Sequence, residues 1–131
     1  MPALPVFTVI QWDELSEESV LTTPLGANLF RMEESAVIGE AVLGDVIETM
    51  PGEDGRVRFV RVRMPSELKT DVWLLPHRAG ESEEVALFLK GVIEAGGKWE
   101  RYMGGLFRLH LPPAEFDRFA DEFERVIRSA S

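Results

Sequence analysis

Two histidines are the only side chains here that titrate near neutrality without perturbation: His77, between Pro76 and Arg78, and His110, two positions after Arg108. An imidazole acts as a general base only when a carboxylate orients it and a nucleophile lies within reach. The chain has no Cys, and Ser66 and Ser82 stand where turns and helix caps favour serine. The sequence therefore assigns no catalytic residue. A metal site needs three or four converging ligands. Two distant histidines without an H-x-x-x-H or E-x-x-H spacing do not supply them, so no metal and no cofactor are expected. Asp45, after Gly44, could be a base or a ligand; the favoured reading is a turn-capping carboxylate accepting backbone N–H groups.

Arginines offer the other chemistry. Arg56, Arg58, Arg61, Arg63 and Arg78, with Trp73, could line an anion-binding groove, since guanidinium groups grip oxyanions in a fork. The candidate ligand-binding set is Arg58, Arg61, Arg63, Trp73, His77 and Arg78, around a cleft between two halves of the chain. The favoured alternative is that the arginines neutralise surplus acid. Residues 1–55 hold eleven acids and one base, and residues 56–131 hold twelve acids and thirteen bases, within a net charge of −9. That excess repels phosphate backbones and anionic lipid heads. Nucleic acid and membrane are disfavoured as partners on that ground and neither is expected, although a local basic patch could override the global sign; a basic protein is the favoured partner.

The elements that must position these residues follow from periodicity. Strands are expected at Val6–Trp12, Ser19–Leu25 and Leu29–Met32, with a short apolar one at Val37–Val42. A central hairpin follows: an arm ending near Met50, a turn through Asp54-Gly55, and an arm from Arg56 to Met64. In the second arm Val57 and Phe59 share a face, while Val60, Val62 and Met64 share the other. Such a change of phase predicts a β-bulge or a sharp bend between Phe59 and Val60, of the kind that turns strands round the corner of a small barrel. A strand at Thr70–Leu75 carries bulk on both faces, which predicts burial on both sides where the halves meet.

From Gly80 the period becomes helical. Ser82 caps a helix with the stripe Val85, Phe88, Leu89, Val92 and Ile93, closed by Gly96-Gly97. Strands at Lys98–Tyr102 and Leu106–Leu111 flank Met103-Gly104-Gly105. Pro112-Pro113 opens a last helix with Phe116, Phe119, Ala120, Phe123 and Ile127 on its apolar face.

The expected class is α+β: a small, bent, barrel-like β-half over residues 1–65, packed on a β-α-β-β-α, ferredoxin-like half over 66–131, the two forming one structural unit. The runs Glu18–Gly26, Leu29–Met32, Val42–Val46, Asp54-Gly55 and Arg58-Phe59 resemble a bacterial family known as domain of unknown function 4265, over residues 5–128. The resemblance implies a fold and no catalytic residues. The functional expectation is a cytoplasmic, non-enzymatic binding protein for a basic partner, of unspecified oligomeric state. The alternative is a small enzyme or ligand binder using a cleft near His77, Arg78 and Trp73.

Overall fold

The computed structural model describes residues 4–75 and 78–130. The chain divides into two compact units, Met1–Ser66 and Glu67–Ser131. It is mixed α+β, and among the described residues no helix is long and apolar enough to cross a membrane.

The first unit has five strands: β1 (Val6–Gln11), β2 (Glu17–Gly26), β3 (Leu29–Met32), β4 (Val46–Pro51) and β5 (Val57–Met64). Each pairs antiparallel with the next. The circuit closes into a barrel where Ile10 and Gln11 of β1 pair parallel with Val57 and Arg58 of β5. The closure depends on bends in β5. Its pairing with β4 steps over Val60 and again over Arg63. An extra residue on one strand kinks it and sharpens its twist. Val57, Phe59 and Val62 consequently pack against the core of Ile10, Val20, Met32, Ala36, Ala41 and Ile47. The first bulge lies where the sequence pattern puts it. The second rotates Met64 outward, so Val60 and Met64 are exposed rather than sharing an inner face with Val62.

Val37–Val42 forms no strand. It belongs to an irregular loop across residues 33–45, and its apolar content is split: Ala36 and Ala41 are buried, while Val37 and Ile38 are exposed. The hydrogen bond from Ala36 N to Ala41 O, 2.9 Å, ties the two buried residues together and leaves the tip between them outside.

The second unit has a three-stranded sheet in the order β6 (Lys69–Leu74), β8 (Leu106–Leu111), β7 (Lys98–Tyr102). Both neighbouring pairs are antiparallel, so β6 and β7 run parallel with β8 between them, joined through helix α1 (Glu83–Glu94). Helix α2 (Phe116–Ala130) follows β8. Phe107, Leu109 and Leu111 of β8 meet Val85, Phe88, Leu89 and Val92 of α1 and Phe119 and Phe123 of α2 in one buried cluster. Phe123 is its centre, stacked on Phe88 at 4.5 Å and edge-on to Trp73 and Phe107.

Ser82 caps α1, its hydroxyl accepting the Val85 N–H at 3.2 Å. Gly96, at φ +90°, ends it: Gly96 N donates to Ile93 O and Gly97 N to Val92 O, which satisfies the last carbonyls as a left-handed cap should. Two expectations need correction here. Ile93 is exposed, because α1 buries a narrower stripe than the pattern suggests. Strand β6 is not buried on both faces. It is an edge strand: Trp73 packs on the helical core while Val72 and Leu74 on the other face are exposed.

Candidate functional site

The best-formed site of the first unit is built around Trp12, at the end of β1. Its ring packs against Phe59 of β5, centroids 5.0 Å apart. Two grooves flank this aromatic pair. One, of about 220 Å³, is lined by Gln11, Trp12, Asp13, Glu14, Arg58 and Phe59. The other, of about 430 Å³, takes in Trp12, Asp13, Ser16, Phe59 and Val60 and is walled by Ile38, Gly39 and Glu40 of the loop. They share Trp12, Asp13 and Phe59, so they form one surface with an aromatic floor and a carboxylate rim.

That loop is held by one side chain. Glu18 accepts Trp12 Nε1 at 2.8 Å, Ile38 N at 3.1 Å and Gly39 N at 3.0 Å on one oxygen, and Val37 N at 3.0 Å on the other. Hydrogen bonds to a carboxylate are the stronger class. Gly39 is where the loop crosses the indole: a Cβ there would lie 2.1 Å from the ring. Two further acids organise the loop. Glu34 accepts the Leu21 N–H at 2.9 Å. Asp45, buried, accepts Val42 N at 2.9 Å and Ser66 N at 2.7 Å. The turn-capping role read from the sequence is the one Asp45 performs, on amides three residues back and twenty-one residues on.

The arginines of this unit serve mostly its own acids. Arg56 pairs with Glu17 at 3.2 Å, and Arg61 and Arg63 converge on Glu48 at 3.1 and 3.0 Å. The hydrogen bond from Arg63, reinforced by Arg61, holds the Glu48 carboxyl below its ordinary range against the opposing effect of desolvation. Arg58 has no ion-pair partner among the described residues and faces the Trp12 groove.

In the second unit, Trp73 belongs to the apolar cluster, with Nε1 donating to Asp71 Oδ2 at 2.5 Å. Arg78 lines a groove with Leu74, Leu75, Glu81, Arg101, Met103, Gly104 and Gly105. His77 lies outside the described residues. Of the candidate set, Arg61 and Arg63 share a carboxylate and Arg58 lines a groove in the first unit, while in the second Trp73 packs against the core and Arg78 lines a groove of its own unit.

His110 has a setting the sequence did not disclose. It is fully buried, with Nε2 2.5 Å from Glu100 Oε1 and Nδ1 2.9 Å from Thr70 Oγ1. Tyr102 donates to the other Glu100 oxygen at 2.6 Å. In the neutral ring the carboxylate places the proton on Nε2, so Nδ1 accepts the Thr70 hydroxyl. The order carboxylate, imidazole, hydroxyl is that of a hydrolytic triad. None of the four principal grooves is lined by Thr70, Glu100 or His110, however. Its evident effect is to satisfy a buried polar group between strands. No cluster of three or more metal-ligating side chains occurs among the described residues.

What sequence reasoning missed is the pairing of Trp12 with Phe59 and the clamp by Glu18. The available signal was Gly39, a residue without a side chain inside an apolar run, which marks close approach of another group.

No protein-family model matches the chain, and no curated protein matches it. The crystal structure of a hypothetical protein from Neisseria gonorrhoeae is similar in fold, with TM-score 0.64 and 16% identity over 96% of this chain and 89% of that one. At that identity the likeness concerns the fold alone.

Proposed function

We propose that the chain is a non-enzymatic binding protein that recognises a basic, apolar-tipped protein segment in the groove beside Trp12. One observation carries this reading: an aromatic floor, Trp12 on Phe59, rimmed by Asp13, Glu14 and Glu40, with Arg58 as the sole lining cation among the described residues. Aromatic floors supply contact area at low entropic cost, and a carboxylate rim steers and selects a cationic partner. The exposed Val37, Ile38 and Val60 beside the groove add apolar surface. On the same footing we read the second unit as a ferredoxin-like layer without its fourth strand, and the chain as kin to domain of unknown function 4265. Neither adds a chemical step.

The test uses the indole N–H of Trp12 as reporter, assigned among the three tryptophans by substitution. The ¹⁵N-labelled protein is titrated with capped Lys-Leu-Lys and, in parallel, capped Glu-Leu-Glu. The expected result is a saturable shift of the Trp12 resonance with the basic peptide alone, weakened by salt and by the double substitution Asp13→Asn, Glu40→Gln. No shift, or the same shift with the acidic peptide, would overturn the proposal.

A further inference from the structure

The second unit carries a groove of opposite character, independent of the reading above. It measures about 400 Å³ and runs past Leu74, Leu75, Met103, Gly104 and Gly105, with Arg78 and Arg101 as its cations and Glu81 as its one acid among the described residues. That is within the size range of small-ligand sites, about 300–1,000 Å³. Neither arginine forms an ion pair among the described residues, although acids outnumber bases twelve to nine over residues 67–131.

Arg101 is fixed in place. Its guanidinium lies over the Phe107 ring at 5.3 Å, and its Nε donates to Gly104 O at 2.5 Å. These contacts leave the two Nη groups to serve as donors. Nη2 lies alongside Gly80, where an added Cβ would be 3.2 Å from it and 3.0 Å from the Phe107 ring. Gly80 belongs to the turn Ala79–Glu81 that Arg78 immediately precedes, and Arg78 and Arg101 line the same groove. Arg78 itself sits at φ 63°, a conformation that costs a non-glycine residue energy and persists where surroundings impose it, often at functional sites. The other walls are apolar: Leu74 and Met103 are 78% and 87% exposed. Between them Gly104 and Gly105 present bare backbone.

We propose that this groove binds a small amphiphile, an oxyanion headgroup held by Arg78 and Arg101 with an apolar tail along Leu74, Leu75 and Met103. Guanidinium pairs suit carboxylate and phosphate oxygens alike, since each offers a planar fork of donors. Glu81 disfavours the anion, which gives the proposal a charge signature that a merely sticky surface lacks.

The test is calorimetric titration of the intact protein with sodium octanoate and with octyl phosphate, below their micelle concentrations. Octyltrimethylammonium and acetate are the controls. At least one octyl anion is expected to bind at one site, the tighter of the two identifying the headgroup, with neither control binding comparably. Arg101→Gln should weaken binding about tenfold or more, the usual worth of a lost charge-assisted contact. Glu81→Gln should tighten it severalfold. Arg78→Gly should also weaken it while leaving the melting temperature unchanged or raised, because glycine relieves the positive φ; this variant separates loss of binding from loss of fold. Failure of both octyl anions to bind, equal binding of the octyl cation, or binding indifferent to all three substitutions would overturn the proposal.

Discussion

Asp45 decides how its neighbourhood folds because both carboxylate oxygens are used. One accepts Val42 N and the other Ser66 N, in a buried setting. An amide has one acceptor oxygen, and its NH₂ would face a backbone donor. Asp45→Asn is therefore expected to destabilise the protein by about 1–3 kcal/mol, the cost of an unsatisfied buried donor. Chemical denaturation measures it, and an unchanged midpoint would refute the two-amide account. Gly39→Ala tests the neighbouring contact. With a Cβ 2.1 Å from the indole, the loop or the ring must move, at about 1–3 kcal/mol for overpacking. Trp12 fluorescence should shift towards that of a solvated indole, and an unaltered spectrum would show that the loop does not lie on the ring.

Among the elements, α2 is held by its phenylalanines. Phe123 is fully buried and touches Phe88, Trp73 and Phe107, so Phe123→Ala should cost about 3–5 kcal/mol. Ile93→Ala, at an exposed position on α1, should change the same denaturation midpoint little; comparable losses at both would contradict the assignment of faces. Most of this layer was legible in the sequence. The helix stripes, the Ser82 cap and the Gly96-Gly97 stop are local signals, and local signals survive folding. What was not legible depends on partners far along the chain. Val37–Val42 looks like a strand, yet Glu18 takes the amides of Val37, Ile38 and Gly39, and a residue 19–21 positions away leaves no trace in a periodicity. The bulge at Val60 showed as a break in alternation, but the one at Arg63 did not, because the strand ends before a new phase is established. Burial of His110 was hidden likewise: its alternation with Phe107 and Leu109 puts it on the outer face, while Thr70 and Glu100 come from two other strands. The candidate ligand set was the least legible part, since an arginine that pairs with Glu48 and one that lines a groove look alike in sequence.

For the molecule as a whole, the decisive quantity is how its excess negative charge is distributed. In the first unit Glu18, Glu34 and Asp45 engage backbone amides, while Glu17, Glu33 and Glu48 engage arginines. The Glu48 pair gives a pH signature. Because its folded pKa lies below the ordinary 4.5, its stabilisation is present above that value and is lost as pH falls through the lowered one. Glu48→Gln should thus be slightly less stable than the parent at neutral pH and indistinguishable from it in strong acid. A difference that persists in acid would assign the effect to packing. Asp13, Glu14, Glu40, Glu53 and Asp54 have no ion-pair partner among the described residues, and the first three rim the Trp12 groove. Uncompensated like charges repel, and salt screens that repulsion over about 8 Å at physiological strength. Exposed arginine pairs are worth little, so screening them away takes back little of the gain. The melting temperature should accordingly rise by a few degrees between about 10 and 150 mM salt. If the rim is the source, the triple substitution Asp13→Asn, Glu14→Gln, Glu40→Gln should be more stable than the parent at low salt and should lose most of that rise. A melting temperature that falls with salt in the parent would mean that attraction within the molecule outweighs repulsion, and would remove the electrostatic basis for a cationic partner at the groove.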